Sequence, residues 1–245
     1  MFNQEDVLIP FNTSPLPPGP WVVFAPHADD ETFGMGGTLL KAKDQGIDTH
    51  LVVLTDGSKG GDAQDIVETR LNEAKEASQI LGFKSVYFWD EPDRCLDSSE
   101  SLVTKASDLI CELKAASVFF PGPLEIHPDH RAAALIVWNA IRRANDKKIG
   151  LRAISYEISV QNPINLLIDI TENIPKKKEV MQIYFSQNQE NNYPELVLAL
   201  DKGRTFSLPQ SVKFAEGFFH YEIEDLKYSL EEITFQIIKL YQRIA

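Results

Sequence analysis

Residues 24 to 37 read FAPHADDETFGMGG, which sets His27, Asp29, Asp30 and Glu31 at the end of an apolar run. Charges placed there must be solvated, paired or given a metal. Further along, LEIHPDHRAAA follows SVFFPGP and sets His127, Asp129 and His130 behind a second apolar run. Imidazole and carboxylate are zinc ligands, and a catalytic zinc keeps three protein ligands and leaves one position for water. His27, Asp30 and His130 are the expected three. Asp29 is the adjacent candidate to take a proton from the attacking water, which would add to a carbonyl polarised by the metal. His127, left unligated, would stabilise an oxyanion or protonate a leaving amine. Asp29 and Asp30 are neighbours whose side chains leave the turn in different directions, so only one of them is expected on the ion. Either cluster alone reads equally well as a solvated loop or as acidic residues at the positive end of a helix. Two clusters, each at the end of a strand, favour a site.

The elements that must position these residues alternate along the chain. WVVFAP (21 to 26), HLVVLT (50 to 55), SVYFW (85 to 89) and SVFFP (117 to 121) are nearly continuous in apolar character, as strands buried on both faces are. Helical segments are expected at about 35 to 45, 65 to 81, 101 to 114 and 129 to 146, with LGF as a glycine stop after the second. Alternation of this kind predicts an α/β fold, a Rossmann-like three-layer sandwich with a mostly parallel, doubly wound sheet. In such sheets ligands bind beyond the carboxyl ends of the strands, where both clusters fall. Pro128 suits the first position of its helix, with His127 just before it and His130 in the first turn. GMGG does not have the G-x-G-x-x-G spacing of a dinucleotide turn, and close packing of the helix on the sheet accounts for its glycines.

One domain is expected over residues 1 to 245, with 1 to 20 as a proline-rich lead-in and 151 to 245 as a less regular C-terminal part. In that part LRAISYEIS and NLLIDIT read as strands. IPKKKEVMQIYFSQ and LKYSLEEITFQIIKLYQRI read as helices, and SQNQENNYPE reads as an exposed loop. Twenty-four basic against thirty-six acidic side chains give a net charge of -12, which opposes attraction to nucleic acid or to anionic lipid. No run has the length of a membrane span. The start has no basic n-region or apolar stretch, which predicts a cytoplasmic protein with Cys95 and Cys111 both free.

PHADDETFGMGGTL and HPDH together resemble the signature pair of the PIG-L family, also called LmbE-like, of zinc-dependent N-acetylglucosaminyl de-N-acetylases. The resemblance extends to TDG (55 to 57) and RLNEAKEASQILG (70 to 82), and more faintly to KKKEVMQIYFSQ and AEGF (215 to 218). Ala28 stands where the family usually has Pro, a position that shapes the turn and leaves the ligand set intact. The resemblance implies His27, Asp30 and His130 as metal ligands, Asp29 as general base and His127 as acid or oxyanion partner. It also implies that Asp129 orients His127, that Arg70 contacts sugar hydroxyls and that Asp93 hydrogen-bonds the sugar. Glu31 is left as a helix-start residue or a support to the ligands, and Asp56 as a pocket-lining one.

The expected activity is hydrolysis of the acetamide of a small N-acetylated amino sugar conjugate. Zinc is the expected metal, although two histidines and a carboxylate also suit Fe(II). An amidase acting on a thiol conjugate or another acylated amine would use the same centre. A Rossmann-like sugar or nucleotide binding module without catalysis is the reading from a different class, and the intact ligand set speaks against it. Rim loops 58 to 64, 90 to 100 and 186 to 194 are expected to recognise whatever the sugar carries. No sequence feature sets the oligomeric state.

Overall fold

The computed structural model describes residues 9–59, 65–146, 150–189 and 191–242. Five parallel strands form most of one sheet: β1 (Trp21–Ala25), β2 (Thr49–Thr55), β3 (Ser85–Glu91), β4 (Ser117–Pro121) and β5 (Arg152–Tyr156). β6 (Leu166–Asp169) and β7 (Ala215–Tyr221) complete it in the order β3-β2-β1-β4-β5-β7-β6, with β7 antiparallel to both of its neighbours. Helices α1 (Asp30–Asp44), α2 (Ile66–Leu81), α3 (Glu100–Glu112) and α4 (Pro128–Asn145) connect the parallel strands. α5 (Ile174–Ile183), the short α6 (Phe185–Asn188), α7 (Tyr193–Gly203) and α8 (Leu230–Gln242) follow. No helix among the described residues is long and apolar enough to cross a membrane.

The central strands are apolar on both sides because helices cover both. Trp21, Val23 and Ala25 pack with Leu39 and Ala42 of α1 on one face, and Val22 and Phe24 pack with Val137 and Ile141 of α4 on the other. Each fully buried side chain of this size contributes about 1.5–3 kcal/mol relative to exposure. β1 pairs with β2 on one side and with β4 on the other, Trp21 opposite Ser117 and Val23 opposite Phe119. The strand order reverses between β1 and β4, and the loops that leave their carboxyl ends start side by side at that switch point.

The parallel strands fall where the apolar runs put them, and Gly82 ends α2 in the left-handed conformation at φ 84°. α1, however, starts at Asp30 and not near residue 35. The expected start coincides with a break at Met35, whose φ of -147° and ψ of 21° are not helical. The C-terminal part holds two elements the sequence reading left out. β7 contains Glu216 and Gly217, which hide its strand character, and α7 begins at Tyr193 within the stretch read as a loop.

The glycines after Phe33 are sites of close approach. A Cβ at Gly34 would lie 2.5 Å from Cδ2 of Tyr156 and would also overlap the Glu157 carbonyl, while at Gly36 the nearest atom is 3.5 Å away. Gly34→Ala is therefore expected to cost about 1–3 kcal/mol or more in urea unfolding, as overpacking against backbone does. Gly36→Ala should stay within about 0.5–1 kcal/mol of the parent protein, helped by alanine's better helix propensity.

Candidate metal centre

A cleft of about 450 Å³ opens at the switch point, lined by His27, Asp29, Asp30, Arg70, Asp93, His127 and His130 among others. A roomier hollow, about 820 Å³, lies between α3, α4 and the 223–227 turn and has no histidine in its lining, so size alone does not mark the chemistry.

Asp30 Oδ2 is the centre of the cluster. It lies 3.1 Å from His27 Nδ1 and 3.3 Å from His130 Nε2, and it accepts the backbone N–H of His27 at 2.9 Å. Donors about 2.0–2.2 Å from a single tetrahedral ion sit about 3.3–3.6 Å from one another, so these separations lie at the short end of what a zinc-sized ion needs. The outer nitrogens fit as well, because a metal-bound histidine usually turns its second nitrogen to a carboxylate or carbonyl. His27 Nε2 is 3.2 Å from Asp129 Oδ2 and 3.4 Å from Asp93 Oδ1, and His130 Nδ1 is 3.6 Å from Glu125 Oε2. Ligand atoms of His27, His127 and His130 also lie within 4.8 Å of one another, as do those of His27, Asp93 and Asp129.

Burial and pairing compete at every one of these groups. Burial favours neutral His27, but hydrogen bonds to Asp129, Asp30 and Asp93 overrule it and hold the ring well above the usual imidazole range. His130 is likewise desolvated, yet the charge and hydrogen bond of Asp30 and the Glu125 contact raise it to about 9. Asp30 goes the other way: burial would raise it, and His130 and His27 pull it far below the carboxylate range. Asp29 is pushed well above that range by burial and by the charges of Asp30 and Glu31, against the opposition of His27 and Arg70. His127 is held below the imidazole range by burial and by the charges of His27 and His130.

Asp29 is set apart by its backbone too. It occupies the N-cap position of α1 with φ 155° and ψ -25°, and its side chain caps nothing. A residue with a Cβ adopts such angles at a cost, and that cost is typical of functional turns. His127 precedes Pro128 at the start of α4, and its Nδ1 accepts the backbone N–H of Asp129 at 3.2 Å. Nε2 is then the nitrogen that carries the proton of the neutral ring.

The residues expected to orient His127 or to meet the sugar have partners within the protein. Asp129 does not place its carboxylate on His127. That carboxylate accepts Arg94 N–H at 2.7 Å and Leu96 N–H at 3.2 Å and meets His27, because the loop after β3 folds over the first turn of α4. Asp93 is equally committed, with one oxygen toward His27 and the other accepting Lys59 N–H at 3.0 Å. Arg70 lines the cleft but is only 4% exposed, and its Nη1 donates to the Gly57 carbonyl at 2.7 Å. Asp56 organises the rim, its Oδ1 accepting the N–H groups of Ser58 and Asp93.

Glu125 went unnoticed in the sequence. It is buried, accepts from Ile158 N and Ser159 N, and faces His130. Its position two residues before His127 was the available signal. The rim loops do line the cleft, through Lys59, Arg94, Gln187, Asn191 and Tyr193. Residues 60–64 of the first loop and residue 190 of the third lie outside the described residues.

Residues 22–141 match the PIG-L family model, described as GlcNAc-PI de-N-acetylase. Diacetylchitobiose deacetylase of Thermococcus kodakarensis is 34% identical over 124 residues, 47% of this chain and 46% of that protein. The chain thus spans about half the length of this relative. A probable N-acetyl-alpha-D-glucosaminyl L-malate deacetylase 2 of Bacillus anthracis is 28% identical over 206 residues, 76% of this chain and 83% of that one. The crystal structure of the conserved protein TT1542 of Thermus thermophilus superposes with a TM-score of 0.73 at 29% identity, covering 81% of this chain and 93% of that one.

With metal stripped by a chelator, the His130 ring is expected to titrate near pH 9 by NMR and to move toward its ordinary value of about 6.5 in Asp30→Asn. A raised folded-state pKa stabilises fully below the unfolded value and loses its contribution as pH rises through the folded one. Urea unfolding of the stripped protein should therefore show stability falling between about pH 6.5 and pH 9, with a flatter profile in His130→Asn.

Proposed function

We propose, from the match of residues 22–141 to the PIG-L family model, that this chain is a metal-dependent hydrolase that removes the acetyl group from an N-acetylglucosamine-type amino sugar conjugate. The observation that carries this reading is Asp30 Oδ2 set between one nitrogen of His27 and one of His130, with each ring's other nitrogen turned to a carboxylate. His27, Asp30 and His130 would hold the ion, and zinc is the metal we propose. When bound, it would lower the pKa of a water and polarise the amide carbonyl.

The remaining steps belong to the chain. Asp29, raised in pKa by its burial, is suited to accept the proton of the attacking water as that oxygen adds to the amide carbon. His127, kept neutral with its proton on Nε2, donates a hydrogen bond to the oxyanion that forms. The carbon–nitrogen bond then breaks, the proton held by Asp29 passes to the departing amine, and acetate is left. Arg70, on the cleft wall, is the proposed contact for the sugar hydroxyls. Asp93 and Asp129, whose oxygens are engaged, act by holding His27 and the rim.

The two curated relatives are named for different conjugates, a diacetylchitobiose and a glucosaminyl malate, so a panel of N-acetylated amino sugars with neutral and acidic attachments is the direct test, read by released acetate. Acetate release from none of them, with turnover of another acylated amine, would favour the amidase reading of the same centre.

His27→Ala, Asp30→Ala and His130→Ala are expected to lose most bound metal, measured by elemental analysis, while the protein stays folded. Full occupancy in all three would remove the assignment. Asp29→Asn should keep its metal and lower turnover by about 10²- to 10⁴-fold, the usual loss for a general base. If Asp29→Asn lost metal and Asp30→Asn kept it, the two roles would be exchanged.

A further inference from the structure

Two stretches of the sequence, KKKEVMQIYFSQ and AEGF, are left largely unused by the chemistry above, since of their residues only Gln187 lines the cleft. The fold brings them together. Lys177 of α5 is fully buried, with Nζ 2.7 Å from Oδ2 of Asp201 on α7 and 2.7 Å from Oε1 of Glu216 on β7. Glu216 is itself 1% exposed. A buried ion pair is a weak source of stability, because desolvation offsets the attraction, and well-packed apolar side chains usually serve as well. Such pairs have a better attested use in fixing one arrangement over another.

The arrangement fixed here is the break in α1. Just past the non-helical Met35, the N–H groups of Gly37 and Thr38 donate to Glu216 Oε1 at 2.8 Å and Oε2 at 2.7 Å. They behave as the first amides of a new helix, and the carboxylate acts as the cap such amides require. α1 is thereby two pieces that satisfy two separate packings. Its first turn abuts Tyr156 at Gly34, and its second piece abuts Ile170 at Gly37. A continuous helix could not meet both surfaces unless the first turn swung away. A second tie from the same segment reaches that turn directly, as Tyr184 Oη donates to Glu31 Oε1 at 2.7 Å.

We propose that Lys177 and Glu216 are positioning residues for the metal ligands: the pair holds the break in α1 and so sets the direction in which the first turn presents Asp29 and Asp30. Asp201 steadies Lys177 from the far side, its Oδ2 accepting from Nζ at 2.7 Å. This inference rests on the metal reading of His27, Asp30 and His130.

The test compares zinc affinity, by competition with a chromogenic chelator, in full-length wild type, Glu216→Gln, Lys177→Met, Asp201→Asn and the double variant Lys177→Met/Glu216→Gln, each with its melting temperature. Glu216→Gln and Lys177→Met are expected to bind zinc at least about 10-fold more weakly, the range seen when a group that orients a ligand is lost. Asp201→Asn should stay within about twofold. The double variant removes the Lys177–Glu216 pair together and leaves Asp201 as a carboxyl that burial already pushes up to about 7 and that can take a proton, so it keeps the question open to measurement if a single variant does not fold, and it should show the same loss. Folded Glu216→Gln, Lys177→Met or double variants with lower melting temperatures and wild-type zinc affinity would overturn the positioning role and leave the metal reading standing. A wild type that binds no zinc would overturn both.

Discussion

The parallel pairing of β1 with β4 is the contact on which the site depends. Trp21, Val22 and Val23 lie opposite Ser117, Val118 and Phe119, so two strands far apart in the chain finish at the same edge. Their loops begin side by side, and the helices that follow pack on opposite faces. The register is fixed by burial on both sides. Trp21 and Val23 belong to one core, and Val22 and Phe24 to the other. A slip of one residue would exchange the two sets and shift His27 by about 3.3 Å, more than a metal–ligand bond length.

What the pairing brings together is a set of charges that burial opposes. Desolvation is the largest influence on each titrating group of the cluster. For His27, Asp30 and His130 the partners prevail: Asp30 stays a carboxylate, and the two rings are held as imidazolium, whose ligating protons a bound ion would displace. For Asp29 and His127 burial prevails: it raises Asp29, which makes its carboxylate the stronger base, and it holds the His127 ring below the imidazole range. One environment thus separates groups that would hold an ion from groups that would exchange a proton, the division that acid–base chemistry near neutral pH calls for. The separation follows from geometry: Asp30 Oδ2 faces two rings, whereas Asp29 has the charge of Asp30 beside it.

The C-terminal part has a structural task at this centre. β7 runs against its neighbours, which brings Glu216 under the break in α1. Arg204, at the end of α7, pairs with Glu157 next to the place where Gly34 meets the sheet. The junction of α5 and α6 adds Tyr184 against Glu31, and α6 adds Ser186 against Glu73 of α2. Residues well after His130 therefore reach the turn and the break of α1 that lie next to Asp29 and Asp30.

By itself the sequence determined the strand runs, the alternation with helices and the grouping of His27, Asp29, Asp30, His127 and His130 at strand ends. Each of these is a local property: apolar continuity, helical period and Pro128 at a helix start need no knowledge of distant residues. Only the tertiary structure decided what the carboxylates do. Asp129 next to His127 was expected to serve it, but its oxygens turn to His27 and to the loop after β3, a partner set by packing across the cleft. Glu125, β7 and the Lys177–Glu216 pair escaped notice for the same reason. A buried carboxylate is identified by the cation or amide that reaches it from another element, and that partner lies 39 residues away for Lys177 and 179 for Gly37, beyond the reach of any local period.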